Sequence, residues 1–296
     1  MDLNYNGKII KGVAGDYEVY VLGKGPYICK AKGIFRYNKQ KPLVGDDVLI
    51  TVLDEKDKEG NILEILPRRN ELIRPAVANI DQALIVFAVK SPMPSLKLLD
   101  RFLVMMEMTG VKPIICFNKI DLMDGNEDAV YGKIYEKAGY KCIYTSTAKT
   151  MGIDVVLAEL KGKTTTLAGP SGVGKSSMLN ALVPGADSQT GEISKKIERG
   201  KQTTRHTELF HVEGDTYIMD TPGFATMYIA DCAKEELRYY MPEFDVYEGR
   251  CKYNGCVHIK EPGCMIKAAV ENGDIDKCRY ENYVAMYEEI KNLKKY

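Results

Sequence analysis

The sequence predicts a multi-domain protein: a small β-barrel of the oligonucleotide-binding type, a P-loop α/β domain, and a mainly helical metal-binding module. Three observations carry this. Short β segments separated by turns fill the first seventy residues. A phosphate-loop sequence stands between a strand and a helix within residues 164–182. Three cysteines and a histidine cluster between residues 251 and 264. The boundaries are placed at 1–69, 70–228 and 229–296.

A length of 296 residues suits two domains, or three if some are small. Lys plus Arg (41) equals Asp plus Glu (41), so no global basic field advertises nucleic acid, and any such contact must come from a local patch. No run approaches the roughly 18 apolar residues of a membrane span, so no membrane partner is expected. Residues Met1 to Gly7 have neither the basic nor the apolar part of a signal peptide. Three of the eight cysteines lie near a histidine and five are scattered, which reads as reduced thiols plus one metal site. A cytoplasmic location follows as an expectation.

In the first segment the candidate strands are Gly7–Val13, Asp16–Leu22, Tyr27–Ala31, Val48–Leu53 and Gly60–Ile65. Turn signals Gly23-Lys24-Gly25-Pro26 and Lys41-Pro42 to Asp47 separate them. Five strands in about seventy residues suit a Greek-key barrel. Lys30, Lys32, Arg36, Lys39 and Lys41 fall close together around Phe35 and Tyr37. Two readings stand: a surface that holds phosphates and stacks bases, or a solvated loop. Pro67-Arg68-Arg69-Asn70 reads as a linker.

The apolar run Asn79–Lys90 reads as a strand buried on both faces. Leu96–Thr109 has helical spacing and Gly110 as its stop. Lys112–Phe117 is a second buried strand and ends in Asn118-Lys119-Ile120-Asp121. Strand, helix and strand with short links make a parallel α/β layer. The tetrad stands at a strand's carboxyl end, where such sheets place ligands. It resembles the N-K-x-D motif by which GTPases read guanine. Asp121 would accept from guanine N1–H and the exocyclic amine, Asn118 would brace the loop, and Lys119 would lie along the ring. Adenine offers neither donor, so the site discriminates. A helix over Asn126–Ala138 and a strand over Tyr140–Tyr144 follow. Ser146-Thr147-Ala148 then resembles the loop that supports guanine through its backbone, and Gly152–Leu160 reads as a helix.

The phosphate loop is Gly169-Pro170-Ser171-Gly172-Val173-Gly174-Lys175-Ser176-Ser177, matching G-x-x-x-x-G-K-[ST] at every fixed position. Strand Thr164–Ala168 precedes it, and Met178–Leu182 can continue as a helix. The glycines let backbone N–H groups turn inward around phosphate oxygens, where the helix dipole also points. Lys175 would reach the β- and γ-phosphates, and Ser176 would hold Mg²⁺. Downstream, Gly200 to Arg205 resembles a first switch, with Thr203 or Thr204 as the magnesium ligand. Asp220-Thr221-Pro222-Gly223 resembles the D-x-x-G second switch. The order is base, base support, phosphate, switch, switch: a circularly permuted GTPase domain. Permutation is tolerated where the original termini lie close together.

Cys251, Cys256, His258 and Cys264 follow C-x4-C-x-H-x5-C. Three thiolates and an imidazole make a closed tetrahedral set suited to one structural Zn²⁺, with no place left for a catalytic water. Around it, Cys232–Tyr240, Met265–Glu271 and Arg279–Leu293 read as helices.

Barrel, permuted GTPase domain and Cys/His module together resemble the RsgA (YjeQ) family of small ribosomal subunit biogenesis GTPases. The shared signatures are Asn79-Ile-Asp-Gln, Asn118-Lys-Ile-Asp-Leu, the phosphate loop, Thr203-Thr-Arg-His, Asp220-Thr-Pro-Gly-Phe and Cys251…Cys256-Val-His258…Glu261-Pro-Gly-Cys264. The resemblance implies a cytosolic, monomeric enzyme that binds the 30S subunit late in its assembly. It further implies contact with 16S rRNA and ribosome-stimulated hydrolysis of GTP to GDP. It leans to Thr204 over Thr203. The family commonly carries a catalytic His before the paired Thr; here Gln202 stands there. Phe224, not Gln, follows Gly223. Gln202 would then orient the attacking water, since an amide both donates and accepts; otherwise it is a mobile switch residue and the ribosome completes the site. Two rival readings stand: a nucleotide-sensing RNA-binding scaffold with little turnover, and a P-loop ATPase or kinase, against which Asn118-Lys119-Ile120-Asp121 argues. His206 and His211 read as structural or exposed.

Overall fold

The computed structural model describes residues 3–13, 15–31, 35, 40–73, 76–123, 129–183, 207–220 and 232–293. The chain forms two compact units, each assembled from separate stretches. The first holds residues 1–83, 153–168 and 175–225; the second holds 84–152, 169–174 and 226–296. No helix among the described residues is long and apolar enough to cross a membrane.

The first unit opens with the expected barrel. Strands β1 (Leu3–Val13), β2 (Asp16–Val21), β3 (Gly25–Ala31), β4 (Asp47–Asp54) and β5 (Glu59–Ile65) lie in the order β1-β2-β3-β5-β4. β4 returns to pair with β1, closing the sheet, and only β3 and β5 run parallel. Alternating side chains fill the interior, among them Ile9, Val19, Tyr27, Val48, Ile50 and Ile62. Phe35 corrects the sequence reading: it is buried in this core rather than presented for base stacking. An apolar ring beside an unfilled core gains more inside than in water. Lys30 and Lys41 are exposed, whereas Lys32, Arg36, Tyr37 and Lys39 lie outside the described residues.

A two-stranded hairpin, β6 (Glu71–Ile73) and β7 (Ala76–Ala78), follows the barrel, unforeseen in the sequence. The same unit contains helix α3 (Ile153–Leu160), strand β11 (Thr164–Ala168), helix α4 (Lys175–Leu182), β12 (Glu208–His211) and β13 (Tyr217–Asp220). β13 lies parallel to β11 and antiparallel to β12. β1 is long enough to reach past the barrel and pair with β12 at Lys11 and Glu208.

Strand β8 (Gln82–Ala88) is wholly buried and passes from the first unit into the second. There it is followed by α1 (Leu96–Thr109), β9 (Lys112–Asn118), α2 (Ala129–Lys137) and β10 (Lys141–Thr145), with strand order β10-β9-β8. β9 and β10 are parallel. α1 has the span the sequence predicts: the Ser95 hydroxyl accepts from the Leu98 N–H at its start, and Gly110 ends it at φ 68°. The carboxyl-terminal part contributes α5 (Met265–Glu271) and α6 (Lys277–Asn292). The helix expected over Cys232–Tyr240 is instead a turn followed by a 3₁₀ segment, Leu237–Tyr240. Met241 precedes Pro242 and is extended, which stops any helix there.

Candidate nucleotide site and metal centre

Parallel strands put the ends of β9 and β10 side by side, and the guanine-type tetrad starts at the first of these ends. Asn118 is fully buried. Its Nδ2 donates to the Val173 carbonyl at 3.0 Å, so it holds the phosphate loop rather than solvent. Its Oδ1 accepts from Thr145 Oγ1 at 3.1 Å and from the Thr147 N–H at 3.3 Å. Lys119 has φ 65°, and its Nζ donates to the carbonyls of Ser91 (2.5 Å) and Gly172 (2.7 Å). These two bonds hold the ammonium against the loop. Ile120 and Asp121 open a 3₁₀ turn. Asp121 accepts from the Ser146 hydroxyl, which holds the carboxyl below its usual range; the charges of Lys149 and Lys119 add to this. A carboxylate kept ionised is what an acceptor for two N–H donors needs. Ser146 is buried and also caps the Lys149 N–H, while Ala148 is exposed.

The loop Gly169–Gly174 needs its glycines. At Gly169 (φ 137°) a Cβ would stand 2.1 Å from the Val86 carbonyl oxygen, and at Gly174 (φ 98°) 2.4 Å from Asn118 Nδ2. Pro170 and Ser171 follow the first glycine, and Val173 is buried beneath the loop. α4 starts at Lys175, directly after the loop, and continues through the Met178–Leu182 segment as expected. Ser176 and Ser177 are exposed on its first turn. Asp220 lies in register with Leu167 of β11, at the end of the strand that leads into the loop. Gln202, Thr203, Thr204 and Gly223 lie outside the described residues.

Thr145, the first residue of the Thr145–Lys149 stretch that resembles the base-supporting loop, is buried and bonds Asn118. One part of this site escaped sequence reading. The Ser91 carbonyl is backbone, which no residue pattern marks.

At the other candidate centre the ligand atoms of Cys251, Cys256, His258 and Cys264 all lie within 4.8 Å of one another. His258 Nδ1 is 3.6 Å from Cys251 Sγ and 3.4 Å from Cys264 Sγ. A tetrahedral zinc site demands S···N edges of about 3.6 Å, so these residues fit a metal ion. Burial and the nearby Arg238 guanidinium hold His258 below its usual range, keeping the imidazole neutral as a ligand must be. Its backbone is pinned in the left-handed region at φ 61°. The Glu261 carboxylate accepts from the N–H groups of Val257 (3.1 Å), Ile259 (3.0 Å) and Lys260 (3.0 Å). Tyr283 and Tyr280 of α6 donate their hydroxyls to the Val257 and His258 carbonyls, each at 2.7 Å. All eight cysteines are free.

Comparison with known proteins decides the family. Residues 65–230 match the RsgA GTPase model and residues 6–62 the RsgA N-terminal domain model. The chain belongs to the RsgA GTPase family. Among its RsgA relatives, the small ribosomal subunit biogenesis GTPase RsgA of Agathobacter rectalis is 53% identical over 98% of this chain and 99% of that protein. The Bacillus subtilis RsgA is 44% identical over 97% and 98%. The crystal structure of YloQ, described as a circularly permuted GTPase, superposes with a TM-score of 0.83 at 38% identity, covering 99% of this chain and 98% of that one. YjeQ from Thermotoga maritima gives 0.83 at 37% identity, covering 99% and 100%. An RsgA-type barrel and the permuted GTPase fold are therefore both present, as the order of the motifs anticipated.

Proposed function

We propose that this chain hydrolyses GTP to GDP and phosphate on the 30S ribosomal subunit, late in that subunit's assembly. The observation that carries the reading is the tie of Asn118 and Lys119 to the carbonyls of Val173 and Gly172, which fixes a base-reading tetrad against the phosphate loop. Its support is that the RsgA relatives, matched over nearly their whole length, are small ribosomal subunit biogenesis GTPases.

In this reading Asp121 selects guanine, with Ser146, Thr147 and Ala148 supporting the base. Loop amides from Gly169 to Gly174 and the Lys175 ammonium hold phosphate charge. Positioning and charge neutralisation supply most of the catalysis, since phosphoryl transfer asks little covalent help. Ser176 and Thr204 would hold Mg²⁺, a hard cation suited to hydroxyl oxygens, which neutralises charge on the β- and γ-phosphates when bound. Gln202 orients the attacking water, with Asp220 and Gly223 forming the second switch. One Zn²⁺ at Cys251, Cys256, His258 and Cys264 holds the carboxyl-terminal module together. The segments 1–69, 70–228 and 229–296 act as barrel, GTPase domain and zinc module. The barrel and the zinc module face 16S rRNA, and the protein works as a cytoplasmic monomer.

The test is GTP hydrolysis by the zinc-loaded full chain, alone and with isolated 30S subunits, with ATP as control. Turnover that rises strongly with 30S and only for GTP is the expected result. Slow, unstimulated turnover with tight 30S binding overturns it in favour of a nucleotide-sensing scaffold.

A further inference from the structure

Asn79-Ile80-Asp81-Gln82 was singled out in the sequence for its resemblance to the family, yet none of its side chains takes part in the nucleotide geometry described above. Its four residues lie in the first unit, between the barrel and β11, and they bond both. Asn79 is fully buried and holds φ 57°, a conformation asparagine tolerates better than most residues. Its Nδ2 donates to the Gly45 carbonyl (3.1 Å) and to Asp47 Oδ2 (3.3 Å), both in the barrel turn that starts β4. Lys8 of β1 donates to the other oxygen of Asp47 at 2.5 Å. The fit leaves no slack: a Cβ on Gly45 would stand 2.0 Å from the Ala78 carbonyl oxygen.

Two residues on, the same stretch grips β11. The Asp81 N–H donates to the Thr164 carbonyl (2.9 Å), and Asp81 Oδ2 accepts from the Thr164 N–H (2.8 Å). Gln82 Nε2 donates to Thr165 Oγ1 (3.1 Å) and to the Glu159 carbonyl (2.9 Å). β11 is the strand that runs into the phosphate loop. Arg69, read from sequence as linker, spans both sides: Nη2 donates to Asp81 Oδ1 (2.9 Å) and the Asn79 carbonyl (3.3 Å), and Nη1 stands 3.8 Å from Asp47 Oδ2. Its backbone N–H donates to Asn79 Oδ1 at 2.8 Å. The neighbouring Arg68 clasps both oxygens of the fully buried Asp46 at 2.7 and 2.8 Å.

We propose that Asn79–Gln82 with Arg69 is a rigid joint that carries partner engagement at the barrel to the phosphate-loop strand. Asn79, Asp81 and Arg69 are thus positioning residues for stimulated hydrolysis, an inference that rests on the ribosome-stimulated reading above. A flexible linker would let the barrel bind without moving β11. Asn79 and Gln82 are buried with their polar atoms partnered, and close-packed groups of that kind pass displacement on.

Arg69→Met cuts the bridge from a side chain that is 54% exposed, so the fold survives; Asn79→Ala cuts it from the buried side. Basal and 30S-stimulated kcat, KM for GTP and 30S affinity are measured on the zinc-loaded full chain. For Arg69→Met, basal kcat and KM should stay within about twofold of wild type, as for an exposed substitution. Stimulation should fall by about tenfold, the size of an ordinary coupling between sites. Arg69→Lys should recover part of it. An unchanged ratio of stimulated to basal rate in both variants overturns the joint, as does an equal fall in both rates. Hydrogen exchange supplies a readout that needs no ribosome. Arg69→Met should speed exchange both at Gly45–Asp47 and at Thr164–Ala168, and acceleration on one side only overturns the proposal. A wild-type chain without stimulation defeats the ribosomal reading, while exchange still decides the joint.

Discussion

Arg279 Nη1 donates to Asp100 Oδ1 at 2.6 Å, and both side chains are almost completely shielded from water. Arg279 belongs to α6 and Asp100 to α1, so this contact fastens the metal-bearing end of the chain to the helix that follows β8. Glu243 takes the other edge of the guanidinium at 2.7 and 2.9 Å, and Asn282 donates to the second oxygen of Asp100 at 2.6 Å. Burial works against both charges; the two carboxylates around the guanidinium keep it protonated.

Removing one partner strands a buried charge. Arg279→Met should therefore cost about 3–5 kcal/mol of stability, the usual penalty for breaking such a pair. Urea unfolding of the zinc-loaded protein measures it. A loss no larger than that of Lys291→Met, whose partner Glu288 lies on the exposed surface of α6, would refute the assignment.

Base recognition should show a low acid limit. Ser146 holds the Asp121 carboxyl below its usual range, so the carboxylate stays charged as pH falls and is lost only on passing its lowered pKa. Ser146→Ala lets that pKa rise, and GTP affinity should begin to fall at a higher pH. Titrating GTP binding from pH 7 downward compares the two limbs. Coincident limbs would show that another group sets the loss.

Glu261 is expected to set how firmly the metal is kept. It ties three N–H groups on either side of His258, so Glu261→Gln weakens the loop that aims the imidazole. Groups that orient metal ligands are worth about tenfold or more in affinity. Competition with a colorimetric zinc chelator reads this directly, with no reference to hydrolysis. Equal zinc retention in the variant would count against it.

Two glycine-to-alanine changes should behave oppositely. Gly169→Ala drives a methyl against the Val86 carbonyl at 2.1 Å and should reduce GTP affinity about tenfold or more, through strain in the loop. Gly110→Ala meets nothing within 4 Å and asks only for φ 68°, so it should cost about 1 kcal/mol of stability and leave affinity alone. Fluorescent-GDP titration and thermal melting separate them.

Elements governed by local chemistry were legible in the sequence. The Ser95 cap and Gly110 stop give α1 its ends, the phosphate loop announces itself by spacing, and the barrel strands follow their turns. What escaped depends on distant partners. Asp100 and Arg279 are 179 positions apart and look like two ordinary surface charges. Phe35 beside lysines suggested a stacking ring, but the barrel interior claimed it. Arg68 to Asn70 had linker composition and turned out to be bonded on both sides. Glu261 stood beside the Cys/His pattern in the sequence, yet only the folded loop shows which N–H groups it serves.

The pairing of β1 with β12 has a further consequence. β12 has β13 on one side, and β1 occupies the other at Lys11 and Glu208. A strand with an open side displays unpaired N–H and C=O groups and recruits whatever extended chain is near. Among the described residues β1 covers that side at one residue pair, reinforced by the 3.0 Å Lys11–Glu208 ion pair, so a chain begun at residue 70 would open the side further and raise its tendency to self-associate.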